Sequence, residues 1–177
     1  MFFLGASHAS GMDQSYDDAW GLGSGFVAIE GGWWRFFGKA RDTVNDPWMG
    51  YITTGFSLTK AFSSVLDDYE PLKIGPKIGI GIGNPKKPGA SYELFYDLLV
   101  KIRYTFGSEN SRIRPFVDAG PGFVNYEDAA FELEGGAGID YYAGTGSVGI
   151  NVQYKELFGA GVLKRGVVFL GSLAYHF

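Results

Sequence analysis

The chain has 177 residues, a net charge of −4, 28 glycines, no cysteine and an aromatic content of 17%. The acidic balance argues against nucleic acid as a main partner. The missing cysteine excludes disulfide frameworks and cysteine-ligated metals, and no apolar run reaches the ~18 residues of a transmembrane helix.

Residues 1–19 are polar, carry Asp13, Asp17 and Asp18, show no periodicity and read as a flexible leader; residues 20–177 keep one texture and read as one domain. The stretch Met1–Ser10 is apolar but lacks the basic region of a secretory signal. From there the recurring period is two, the strand period, because successive side chains point to opposite faces. Residues 26–38 are long enough for a first strand, although Trp33-Trp34 and Phe36-Phe37 blur its parity. In 48–60, Trp48, Ile52, Phe56 and Leu58 share one face, and Tyr51, Thr53, Gly55, Ser57 and Thr59 the other. Residues 61–69 hold at most a short helical turn.

In 72–83, Leu72, Ile74, Ile78, Ile80 and Ile82 oppose Lys73, Gly75, Lys77, Gly79, Gly81 and Gly83; Pro76 lies mid-run and predicts a bulge or kink. The clearest strand is 92–106. Its even positions are all apolar or aromatic, from Tyr92 to Phe106, and its odd positions include Glu93, Asp97, Lys101 and Arg103. Three more alternating runs cover 113–123, 131–142 and 148–155, and the last runs from Arg165 to Phe177. The total is about eight strands of roughly 11–15 residues, long against the usual ~5–6 and sufficient for the ~9–11 that cross a bilayer. With the N-terminus inside, the inner turns fall near 62–70, 107–110 and 143–146, and the outer loops near 39–47, 84–91, 124–130 and 156–165.

Alternation alone fits a soluble barrel with an apolar interior as well as a membrane barrel with an apolar exterior. Strand length, aromatics near strand ends and glycines on the charged parity favour the second. A narrow bore has room for small residues and interlocking ions. The expected architecture is therefore all-β: an eight-stranded antiparallel up-and-down transmembrane β-barrel. Lys73, Lys77, Glu93, Asp97, Lys101, Arg103, Arg114, Asp118, Glu132, Glu134 and Asp140 are the candidates for a lumen ion-pair network rather than an open pore.

Arg114-Pro-Phe-Val-Asp-Ala-Gly-Pro-Gly-Phe123 resembles the Arg-Pro-Tyr-x-x-x-Gly-x-Gly strand of the opacity-protein and OmpA-like outer-membrane barrels. Gly135-Gly-Ala-Gly-Ile-Asp-Tyr141 and Gly149-Ile-Asn-Val-Gln-Tyr154 resemble the next two strands, and Leu173-Ala-Tyr-His-Phe177 the terminal signature. Pro121 and the N-terminal third depart from the pattern. The resemblance implies the bacterial outer membrane, with lipid and lipopolysaccharide as surroundings and the barrel-insertion machinery as a partner. That machinery would read Phe169, Leu173, Tyr175 and Phe177.

Little catalytic chemistry is legible, and no metal or cofactor is expected. Ser172 and His176 share a parity, but four strand residues span ~13 Å, too far for a nucleophile–base bond. The lipid A deacylases among small barrels carry His-x-Ser on a late strand; Gln153-Tyr-Lys-Glu156 lacks it. Gly79-Ile-Gly-Ile-Gly-Asn84 mimics a phosphate loop but sits inside a strand, with no following Lys-Ser/Thr, so these read as lumen glycines. Glu127, Asp128, Glu132 and Glu134 read as a solvated acidic rim, with a divalent-cation site as the sharper option. Lys86-Lys87 reads as an exposed turn, or else a contact to anionic headgroups. The leading expectation is a monomeric, non-enzymatic surface or structural protein acting through its loops. The alternatives are a transporter for a small or apolar molecule, a lipid A-modifying enzyme and a soluble ligand-binding barrel.

Overall fold

The computed structural model describes residues 25–58, 71–83, 86, 89, 91–108, 111–126, 128–159 and 165–177. The leader at 1–19 and the turn at 61–69 lie outside them. Eight strands follow in order: β1 (Gly25–Phe36), β2 (Trp48–Ser57), β3 (Leu72–Gly83), β4 (Glu93–Thr105), β5 (Ile113–Tyr126), β6 (Asp128–Ala143), β7 (Gly146–Phe158) and β8 (Arg165–His176). A four-residue helix, α1 (Ala40–Thr43), lies between β1 and β2. Each strand pairs antiparallel with its neighbour, and β8 pairs with β1 to close the barrel. Beyond the last ladder pair, Gly25 and Phe177 exchange backbone hydrogen bonds of 2.9 and 3.0 Å.

The register sets the bore. From Gly25 the pairs run through Phe56, Ile74, Ile102, Ala119, Gly135, Tyr154 and Val167, and return to β1 at Arg35, ten residues beyond the start. Eight strands with that stagger tilt by about 40° and enclose a space that side chains fill.

The apolar parity faces out. Ile78 is 57% exposed and Leu98 52%, whereas Lys77 is wholly buried and Lys101 is 4% exposed. A soluble barrel would reverse this order. The exposed aliphatics, such as Ile29, Ile52, Ile80, Val100 and Ile150, lie between aromatics near the strand ends. Phe56, Tyr104, Tyr175 and Phe177 mark the end that carries the termini, and Trp33, Trp48, Phe123 and Phe158 the other. This is the profile of a hydrocarbon band between two interfacial girdles.

β1 keeps strict parity despite its doubled aromatics. Trp33 and Phe37 point out; Trp34 and Phe36 point in and are fully buried. At Pro76 the expected bulge is absent. Thr53 pairs with Lys77 and Phe56 with Ile74, so the register is the same on both sides and no residue is inserted. The ladder instead skips Thr54 and Gly55, because proline has no N–H to donate. Pro121 does the same between β4 and β5, where pairing skips Val100 and Lys101. Each proline follows a glycine, Gly75 or Gly120. A Cβ there would collide with a carbonyl oxygen of the adjacent strand, that of Thr54 or Val100.

One loop expectation is corrected. Residues 124–130 are not an outer loop: β5 runs to Tyr126 and β6 starts at Asp128. Strand parity continues there because Val124, Tyr126 and Ala130 bury inward among other lumen side chains. The longest connection, 58–71, lies on the side of the termini, where the inner turn near 62–70 was expected.

Candidate functional site: the filled lumen

The interior is stacked in three layers along the barrel axis. The outermost is apolar. Trp34 and Phe36 from β1 lie 4.4 Å apart, centroid to centroid, and Phe95 from β4 and Tyr126 from β5 lie 4.5 Å apart. Val44, Met49, Tyr51, Val124, Ala130, Leu157, Val168 and Leu170 complete the cluster. The bore admits these rings because β3 presents glycine at three successive inward positions. A Cβ at Gly79 would strike Tyr51, at Gly81 Phe95 and Met49, and at Gly83 Tyr126. The phosphate-loop mimic is thus the flat wall against which the plug packs.

The middle layer is ionic. Lys77 Nζ donates to Glu134 Oε1 at 2.9 Å and lies 3.6 Å from Glu30. Lys101 reaches Glu134 at 2.7 Å and Asp118 at 2.9 Å. Lys155 meets Glu134 at 2.9 Å, Glu132 at 3.1 Å and Asp97. Asp97 also accepts from Tyr51 Oη at 2.8 Å. Gln153 Nε2 donates to Asn151 Oδ1 at 3.0 Å and to Asp118 Oδ2 at 3.4 Å. A buried ion left unpaired costs several kcal/mol, so each cation here is shared between at least two carboxylates.

The innermost layer combines cations with rings. Arg103 lies between Phe26 and Phe116, at 5.1 and 3.9 Å, and reaches Asp118, Asp140 and Glu30 at 3.4, 3.5 and 3.7 Å. Arg114 sits 4.2 Å over Tyr142 and donates through Nε to the Ser111 carbonyl at 2.8 Å.

Ten of the eleven expected lumen residues are buried inside; the exception, Glu93, is exposed at the outer end of β4. Its parity is inward, but it lies beyond Phe95, above the filled section. Two ions that the sequence reading left out belong to the layer. Glu30 was hidden by the blurred parity of β1. Lys155 stood on the polar face of β7, and that signal went unused. Among the described residues the buried ions are six cations (Lys73, Lys77, Lys101, Arg103, Arg114, Lys155) and six carboxylates (Glu30, Asp97, Asp118, Glu132, Glu134, Asp140). Their formal charges cancel.

The remaining expected sites fall elsewhere. Glu132 and Glu134 do not stand at a solvated acidic rim, because both bury in ion pairs; Glu127 lies outside the described residues, and no group suited to a metal ion occurs among those described. Lys86 donates to the Arg41 carbonyl at 2.5 Å, tying two outer connections together; Lys87 lies outside the described residues. Leu173, Tyr175 and Phe177 point outward and exposed, and Phe169 outward and half-buried. His176 does meet a serine: its Nε2 shares a hydrogen bond of 2.9 Å with Ser147 Oγ on β7, and both side chains are buried. That contact crosses from strand to strand, which spacing along one strand could not reveal.

The closed barrel has a counterpart among solved structures. The chain is similar to Neisserial surface protein A (NspA), with a TM-score of 0.59 and 11% identity over 87% of this chain and 97% of that one. The fold is that of the small outer-membrane barrels. The N-terminal β-barrel domain of Pseudomonas aeruginosa OprF also aligns, with a TM-score of 0.47 and 17% identity over 86% of this chain and 99% of that one. So does the outer membrane enzyme PagL, with a TM-score of 0.47 and 14% identity over 86% and 99%. No family model matches the chain, and no curated protein does.

Proposed function

We propose that this chain is a non-enzymatic structural barrel of the bacterial outer membrane, monomeric, with a lumen that does not conduct, acting through its surface. The observation that carries this reading is the filled bore: twelve buried ionisable side chains whose formal charges cancel, beneath an aromatic layer. An ion crossing it would have to displace contacts of 2.7–2.9 Å between opposite charges. Outward Leu173, Tyr175 and Phe177 and half-buried Phe169 are the side chains that the insertion machinery would read from the lipid side.

The alternatives have less support. A lateral path would use the ladder gap at Thr54 and Gly55, but the cavity beneath it, beside Lys73 and Arg103, measures only about 10 Å³. That holds a single water. The Ser147–His176 pair has a nucleophile and a base at bonding distance, but both are buried within the lumen and an ester has no approach.

The test is conductance in planar bilayers of the refolded full chain. The expected result is no discrete conductance above the lipid baseline. Regular unitary openings would overturn the reading in favour of a pore.

A further inference from the structure

We propose that the outer face of β1 and β8 holds a phosphate-bearing lipid, with its anionic head on Arg35 and Arg41 and an acyl chain in the groove below them. This rests on the membrane placement proposed above.

Among the described strand residues of outward parity, only Arg35, Glu156 and Arg165 are charged, and all three lie at the outer ends of neighbouring strands. Glu156 and Arg165 face each other in register. Arg35 has no such partner. Arg41 joins it around a pocket of about 390 Å³ with Phe37, Val167 and Phe169 on its walls. No carboxylate of the described residues lies within ion-pair distance of either guanidinium. Two arginines at a membrane interface, without a counter-ion among the described residues and above apolar walls, complement a phosphate on a lipid.

Phe169 also borders a second hollow, of about 530 Å³, which continues into the hydrocarbon band. Its walls include Trp33, Ile139, Ile150 and Val152. Trp33 and Phe169 stack at 5.5 Å along its upper edge. Gly171 lies on its floor, and Gly31 on β1 and Gly50 on β2 continue the row from it in register. A Cβ on any of them would meet no heavy atom nearer than 4.0 Å. The inward Gly79, Gly81 and Gly83 are forced by the rings they face; no heavy atom among the described residues crowds the outward three. Above them runs the row Trp48–Trp33–Phe169, and below them Ile52–Ile29–Leu173. The result is a trough roofed by cations. Inorganic phosphate has no use for the trough, and an uncharged lipid has none for the arginines.

The experiment titrates the refolded full chain, in detergent, with lipid A carrying both phosphates and with the same lipid A after phosphatase treatment, and reads bound lipid by native mass spectrometry. The expected result is tighter binding of the phosphorylated form. The double variant Arg35→Gln, Arg41→Gln should lose roughly thirtyfold in affinity for it and all preference between the two. Gly171→Leu, which fills the trough without touching a charge, should weaken both forms. Equal binding of the two lipids by the wild type, an unchanged double variant, or a second copy of the barrel in place of lipid would overturn the proposal. Heat-modifiable migration on a gel is run alongside. Its absence in the wild type would sink the membrane reading, whereas a folded barrel without lipid preference sinks the lipid site alone.

Discussion

Glu134 is the residue on which the lumen depends most, because Lys77, Lys101 and Lys155 all converge on its carboxylate. Glu134→Gln removes the shared charge and leaves three buried cations short of one. The expected loss is about 3–5 kcal/mol, read as a lower urea midpoint in detergent micelles; an unchanged midpoint would show the network to be hydrated. Glycines give a paired test. Gly81→Val drives a side chain into Phe95 and Met49 and should cost about 1–3 kcal/mol or more. Gly50→Ala adds a methyl group to open space on the lipid face and should stay within about 0.5 kcal/mol. Both glycines lie in strands, and alternation shows which one faces inward. It does not show that Gly81 seats a ring, since Phe95 is its neighbour across a strand boundary. The charged lumen set was legible for the same reason that Glu93 misled: parity gives direction, but not how far along the strand the filled section extends.

At the scale of elements, the two Gly-Pro steps flank one position. Gly75 pairs with Lys101 and Pro76 with Val100 on the β3 side of β4, while Gly120 and Pro121 stand at the same level on the β5 side. The wall is thinned there by lost ladder bonds at Thr54–Gly55 and Val100–Lys101. Amides in those two stretches should exchange at least about tenfold faster than those around Ile78 and Leu98, where the β3–β4 ladder is continuous. Uniform protection by solution NMR in micelles would contradict this. The sequence reading placed both prolines within strands correctly but attached a bulge to the first, because the missing donor and the inserted residue give one signal in a linear pattern. The β5–β6 hairpin was concealed by the polar residues Asn125, Glu127 and Asp128 near its tip, which read as loop although Val124, Tyr126 and Ala130 keep the inward alternation.

For the whole molecule, the decision between lipid outside and core inside rests on where the isoleucines point, and they point out. That direction was legible because ions and glycines share a parity that no apolar core could accommodate. Activity was not legible, since the Ser147–His176 contact and the amphiphilic trough arise from neighbouring strands, not from neighbours along one strand. Boiled and unboiled samples should migrate differently on a gel, as a barrel that detergent does not unfold requires; one band in both lanes would count against a closed barrel.

The ion pairs Lys77–Glu134 and Lys155–Asp97 span 57 and 58 residues and tie β3 to β6 and β4 to β7, in each case three strands away. A chain entering the bilayer one hairpin at a time would carry Asp97 and Lys77 into oil long before their counter-ions arrived, at several kcal/mol apiece. Cooperative assembly is the expected consequence. A version lacking β7 should not persist as a seven-stranded remnant in the lipid; it should stay behind in water, open to proteolysis.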